Sequence, residues 1–197
     1  MPRGLQPRYI LSLSRIDSNK GHDLLLNAFD IVRKEVQDVE LVIGGGSPEP
    51  REVEREVTAS MLRIIEEKRM RSVVRIIGYV PDENLVRSYQ QAEMFVLPSI
   101  FEPFGMTALE AMACGKTVIA SKSGGIRDVI STGANGLLVD PGNTHEFADV
   151  MIAILNDPIK ADQIGKQGRK TVEEHFSWDA IAELHLAFYE RSIDSYG

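Results

Sequence analysis

Cysteine is almost missing from this chain. Cys114 stands alone among 197 residues, which excludes an internal disulfide framework and fits a reducing cytoplasm. Positive charge is in deficit as well, with 22 Lys and Arg against 29 Asp and Glu and a net charge of −7. That balance argues against non-specific binding to nucleic acid or anionic membrane, although a local basic site can still hold a phosphate. No apolar run approaches the roughly 18 residues of a membrane span. The opening MPRGLQPRYI lacks the long apolar core of a signal peptide. Internal repeats and low-complexity segments are lacking too. The reading is a soluble, cytoplasmic protein with no nucleic-acid partner and no transmembrane segment.

What remains is the composition of an ordinary globular chain, 43% hydrophobic and 26% charged, long enough to bury one substantial core. Residues 1–7, rich in Pro, Arg and Gly, read as a linker or tail. Residues 8–197 read as a single domain. Short apolar runs there alternate with longer helical patterns. Strands are expected at 8–14, 39–46, 73–80, 94–99, 117–121 and 136–141, where runs such as RYILSLS and VVRIIGYV stand.

Between them fall helical patterns. In 21–36 the apolar face is Leu24, Leu25, Ala28, Phe29, Val32 and Val36; in 51–69 it is Val53, Val57, Met61, Ile64 and Ile65. A short helix follows Pro81 with Asp82 as its expected N-cap. Another starts near Gly105 to Thr107, and GGIRDVIS begins a further short one. Beyond Pro141 the pattern is wholly helical, over 144–156, 160–174 and 178–194. The last carries Trp178, Ile181, Leu184, His185 and Phe188 at helical spacing. Six buried strands alternating with helices predict an α/β fold, a doubly wound, Rossmann-like parallel sheet with helices on both faces and a helical C-terminal segment. Ligands of such sheets sit beyond the carboxyl ends of the strands.

Four clusters fall at those ends. The first is Ser14-Arg15-Ile16-Asp17-Ser18-Asn19-Lys20-Gly21. Arg15 offers a planar fork for phosphate oxygens and Lys20 a mobile point charge, though such charges on a strand–helix loop are more often simply solvated. The second, Gly44-Gly45-Gly46-Ser47, is not GxGxxG and reads as a flexible loop. The third, SIFEPFGMTALEAMACG at 99–115, sets Glu102 on a loop and Glu110 a little over one turn into a helix whose first amides would attract a phosphate. Carboxylates accept hydrogen bonds from sugar hydroxyls, so the combination suggests a sugar phosphate; a solvent-facing Glu110 stays the alternative. The fourth, Ser123-Gly124-Gly125-Ile126-Arg127-Asp128, is weak alone. Met112 and Cys114 read as packing residues, and His175 and His185 as surface or helix-packing ones.

In order and spacing over nearly the whole chain, these segments resemble the C-terminal half of the retaining glycosyltransferases of the GT-B fold, family 4. The carrying residues are Ser14 to Gly21, Gly78-Tyr79-Val80-Pro81, Pro98-Ser99 and Glu102 to Gly115, with Gly124-Gly125 and Asn135-Gly136-Leu137-Leu138-Val139. FEPFGMTALEAMACG is most similar to the sucrose-phosphate synthase and mannosylfructose-phosphate synthase branch. The resemblance implies that Arg15 and Lys20 hold the donor's diphosphate, that Glu102 contacts hydroxyls of the transferred sugar, and that these three form the catalytic set. It further implies that the amides of Phe104, Gly105, Met106 and Thr107 meet the distal phosphate and the sugar. Glu110 would hold the ribose, and Gly78, Tyr79 and Val80 would border the base. Asp128 departs from the Glu common after the family's double glycine.

Departure of a nucleoside diphosphate leaves new negative charge that some cation must stabilise. The chain has no Asp-x-Asp element, and His22, His145, His175 and His185 form no ligand cluster in sequence. No metal and no other cofactor is therefore expected at the donor site, with Arg15 and Lys20 taking that place, each charge-assisted bond contributing about 1.5–3 kcal/mol. The implied function is the donor-binding half of a hexosyltransferase, moving a hexose from a nucleoside diphosphate sugar, UDP-glucose first, to a sugar or sugar-phosphate acceptor. The expected partners are that donor and an N-terminal acceptor domain not present in this sequence, without which the chain would be inactive. A non-catalytic nucleotide-sugar-binding module and a nucleotide-sugar epimerase are the alternatives.

Overall fold

The computed structural model describes residues 8–194, so the expected linker over 1–7 lies outside the described residues. Six strands form one parallel sheet: β1 (Tyr9–Ser14), β2 (Glu40–Gly45), β3 (Val74–Gly78), β4 (Met94–Leu97), β5 (Thr117–Ser121) and β6 (Leu137–Val139), in the order β3-β2-β1-β4-β5-β6. The helices are α1 (His22–Glu35), α2 (Glu52–Glu67), α3 (Asp82–Gln91), α4 (Met106–Ala113), α5 (Thr144–Asn156), α6 (Pro158–His175) and α7 (Trp178–Asp194). This is the doubly wound, Rossmann-like arrangement that the alternation predicts.

Strand side chains alternate between two cores, which explains why the strands read as continuous apolar runs. Ile10, Leu41, Ile43, Met94 and Val96 enter one core with Leu25, Phe29, Val32, Met61 and Phe147, from α1, α2 and α5. Leu11, Val42, Phe95, Leu97 and Val118 enter the other with Tyr89, Leu109 and Met112, from α3 and α4. Burying both faces leaves only the strand ends for function. From central β1 the chain winds outward to β2 and β3, then returns to β4 on the other side of β1. The crevice at that reversal, between the ends of β1 and β4, is where this architecture holds a ligand.

Several local expectations are corrected. A 3-10 turn, Ser18–Lys20, precedes α1, and Asp17 Oδ1 caps it by accepting the Asn19 amide at 2.9 Å. In α1 Leu26 is fully buried while Leu24 is only partly so. Val53 is exposed, while its neighbour Glu54 in the same first turn of α2 is buried. Pro81, not Asp82, occupies the N-cap of α3; Pro already fixes the extended backbone that a cap needs, so Asp82 becomes the first helical residue. After β5 the chain makes only a 3-10 turn, Gly125–Asp128. The glycines after β2 are not a loose loop. Gly45 has φ 130°, and a Cβ there would lie 1.7 Å from the Ser14 carbonyl oxygen.

Candidate functional site

Three loops meet at the reversal point. The loop after β1 runs through Arg15 to Gly21, the loop after β4 through Pro98 to Gly105, and the loop after β5 through Ser123 to Gly125. They are joined backbone to backbone. The Ile100 amide donates to the Asn19 carbonyl at 2.8 Å, and the Glu102 amide to the Ser123 carbonyl at 2.9 Å. The Asn19 side-chain amide donates to the Phe101 carbonyl at 2.9 Å. Such approach needs glycine. A Cβ on Gly21 would stand 2.1 Å from the Pro98 carbonyl oxygen, and one on Gly124, at φ 97°, would stand 2.2 Å from that of Glu102. The paired glycines of the fourth cluster thus serve as a bed for the Glu102 loop.

That bed places Glu102 against Lys20. Lys20 Nζ lies 2.7 Å from Glu102 Oε2, with both side chains about nine-tenths buried, and the Ser99 hydroxyl donates to the same oxygen at 2.9 Å. A buried pair is costly to desolvate and costly to break, so removing either partner alone leaves an uncompensated buried charge. Arg15 is exposed at the end of β1, and no described carboxylate pairs with it. The structure therefore brings Lys20 and Glu102 together and leaves Arg15 outside their contact. Beneath Arg15, His22 Nε2 lies 3.3 Å from the Arg15 carbonyl oxygen. Burial holds the His22 imidazole below its usual pKa, and its Nδ1 has no hydrogen-bond partner among the described residues.

Gly105, at φ 89°, is the N-cap of α4, and the Glu102 stem lies against it. The first-turn amides of Met106 and Thr107 have no acceptor within the helix and open toward the crevice end of the sheet. Phe104 is half-exposed, its ring edge-on to Phe176 at 6.1 Å. One turn on, Glu110 Oε2 accepts the Tyr89 hydroxyl at 2.7 Å. At the ends of β2 and β3 a cleft of about 420 Å³ is lined by Gly46, Ser47, Glu54, Gly78 and Tyr79, among others. Val80, expected to border a ligand with Gly78 and Tyr79, is half-buried and packs near Gly44 and against the second core. Among the described residues no three His, Cys, Asp or Glu side chains converge, and no helix is long and apolar enough to cross a membrane.

The family described as Glycosyl transferases group 1 matches residues 2–171. The chain belongs to that family. It is 30% identical over 187 residues, 95% of its length, to the mannosylfructose-phosphate synthase of Agrobacterium fabrum, of which it covers 41%. Among solved structures, the sucrose-phosphate synthase of Thermosynechococcus elongatus superposes with a TM-score of 0.84 at 33% identity, over 96% of this chain and 46% of that one. A TarM variant of S. aureus, in complex with fondaparinux, α-GlcNAc-glycerol and UDP, gives 0.79 at 26% identity, over 94% of this chain and 36% of that one. The chain thus spans less than half the length of these relatives.

In this group 1 glycosyl transferase chain, two hydroxyls that hold the glutamates had no role assigned from sequence. Ser99 stands three residues before Glu102 in the motif itself, so its spacing was a usable signal. Tyr89 lies 21 residues from Glu110 and on a different helix. Nothing in the linear pattern joins those two.

Proposed function

We propose that this chain is the donor-binding half of a retaining hexosyltransferase, taking a nucleoside diphosphate sugar, UDP-glucose first, and passing its hexose to a sugar or sugar-phosphate acceptor held by a second domain. The observation that carries the reading is the buried Lys20–Glu102 pair at the β1/β4 reversal, beside the N-terminus of α4. UDP is favoured by the UDP bound to TarM and by likeness to the sucrose-phosphate synthase branch.

In this mechanism the leaving diphosphate enters beside Lys20 and draws its ammonium away from Glu102, while Arg15 closes over the phosphates from its exposed position. The amides of Met106 and Thr107 face the distal phosphate. Cationic side chains thereby stabilise the charge that grows on the leaving group, and no metal is assigned to the donor site. Glu102, relieved of Lys20, accepts hydroxyls of the hexose. It is not cast as a nucleophile, because the family resemblance implies retention by same-face attack assisted by the leaving phosphate. Glu110 takes the ribose hydroxyls, and the cleft beside Gly78 and Tyr79 takes the base.

Isothermal titration of the chain with UDP, GDP, ADP and their sugars tests this reading. Arg15→Ala, at an exposed position, is expected to weaken UDP binding about tenfold or more without touching the core. Unchanged affinity removes the donor-site assignment. The purified chain alone is expected to transfer no sugar, so measurable transfer would overturn the need for a second domain.

A further inference from the structure

Glu110 is not a free carboxylate. The Tyr89 hydroxyl lies 2.7 Å from its Oε2, and Tyr89 is 1% exposed. The tyrosine ring stands edge-on to Phe95, with centroids 5.5 Å apart and planes at 62°, so the hydroxyl has little room to swing. The end of α3 that carries it is fixed in turn, because Tyr9, itself buried, donates its hydroxyl to the Ser88 carbonyl at 2.7 Å. The position of the Tyr89 oxygen is therefore set by the second core and not by Glu110.

Burial, reinforced by the Glu110 carboxylate, pushes the Tyr89 phenol well above its ordinary pKa. The phenol keeps its proton and donates, and Glu110 accepts. Two consequences follow for the carboxylate. Its Oε2 is tethered to an external anchor that uses one lone pair, and the lone pairs left can only accept. A tethered carboxylate with acceptor sites alone suits two adjacent hydroxyl donors, the vicinal diol of a furanose, and discriminates against a sugar that lacks them.

Resting on the assignment of Glu110 to the ribose, we infer that Tyr89 is a positioning residue that aligns Glu110 for the ribose diol, so that the chain selects ribonucleotide over deoxyribonucleotide ligands through a side chain that never touches them. Tyr89→Phe keeps the ring on Phe95 and deletes only the hydroxyl. The experiment measures the affinities of UDP and 2′,3′-dideoxy-UDP for the whole chain, for Tyr89→Phe and for Glu110→Gln.

The unaltered chain is expected to prefer UDP by about tenfold or more, the effect of losing hydrogen bonds to a charged acceptor. Tyr89→Phe is expected to reduce that preference at least threefold by weakening UDP alone, with dideoxy-UDP affinity unchanged. A merely structural role would weaken both ligands equally, which overturns the inference. If Glu110→Gln abolishes the preference while Tyr89→Phe retains it, Glu110 keeps the ribose and the positioning role of Tyr89 is lost. If the unaltered chain shows no preference, or Glu110→Gln leaves it intact, the ribose assignment itself fails and takes the inference with it. A readout independent of any variant is the ¹³Cζ resonance of Tyr89, expected to shift with UDP and not with dideoxy-UDP. Equal response to the two ligands also overturns it.

Discussion

Lys20 and Glu102 are separated by 82 positions in sequence yet share a 2.7 Å contact. Each was recognisable as a candidate from its motif, but their pairing was not, since nothing in a linear pattern records which loops a sheet reversal brings together. The pairing changes what a substitution does. Lys20→Met leaves Glu102 buried without its counter-ion and is expected to destabilise the chain by about 3–5 kcal/mol. The double variant Lys20→Met/Glu102→Gln removes both charges and is expected to recover most of that loss in urea unfolding, while still binding no UDP. Additive losses in the double variant would show that the two side chains do not act as a pair. Arg15 is the opposite case: it stands exposed at the strand end, and no described carboxylate pairs with it, so Arg15→Ala tests the proposed donor contact with little cost to the fold.

Strands and most helices were legible as elements because apolar period and burial agree along them. The departures have local causes. Pro81 displaced Asp82 from the cap, a 3-10 turn the pattern did not mark precedes α1, and after β5 only a 3-10 turn stands where a short helix was read. The glycines at 124 and 125 looked like an ordinary helix start, yet they do their work by lacking a side chain against Glu102 and Pro103. Gly124→Ala is expected to destabilise strongly, since it combines positive φ with a Cβ 2.2 Å from the Glu102 carbonyl oxygen. Gly133→Ala is the matched control. It shares a positive φ of 83° but meets nothing within 4 Å, so only the conformational cost of about 1–2 kcal/mol is expected. Thermal unfolding of the two variants side by side separates close approach from backbone conformation, and equal losses would show that the bed beneath Glu102 is dispensable.

Across the whole molecule, stability is concentrated in the two cores and not in the last helix. On α7 the apolar residues Trp178, Leu184 and Phe188, which recur at helical spacing in sequence, are all more than half exposed, as is Ile193. Sequence alone reveals such a face but not whether this chain covers it. Leu184→Ser and Phe188→Ser are therefore expected to change stability by no more than about 0.5 kcal/mol. Phe147→Ala, in α5 and fully buried, is expected to cost about 3–5 kcal/mol. A large loss from the α7 variants in calorimetry would show that this helix is held to the domain. The loop bonds at the reversal point also have a consequence in time. Asn19 is joined to Ile100 and Phe101, and Glu102 to Ser123, so the first strand's loop has no partner until a segment some eighty residues later in the chain has been made. During synthesis β1 and β2 can pair early, but Lys20 stays without Glu102 until β4 and the turn after β5 have left the ribosome. The crevice is complete only when every strand of this sheet but β6 has been made, and a nascent chain stopped before Ser123 would carry both basic residues proposed for the site without the bed beneath Glu102.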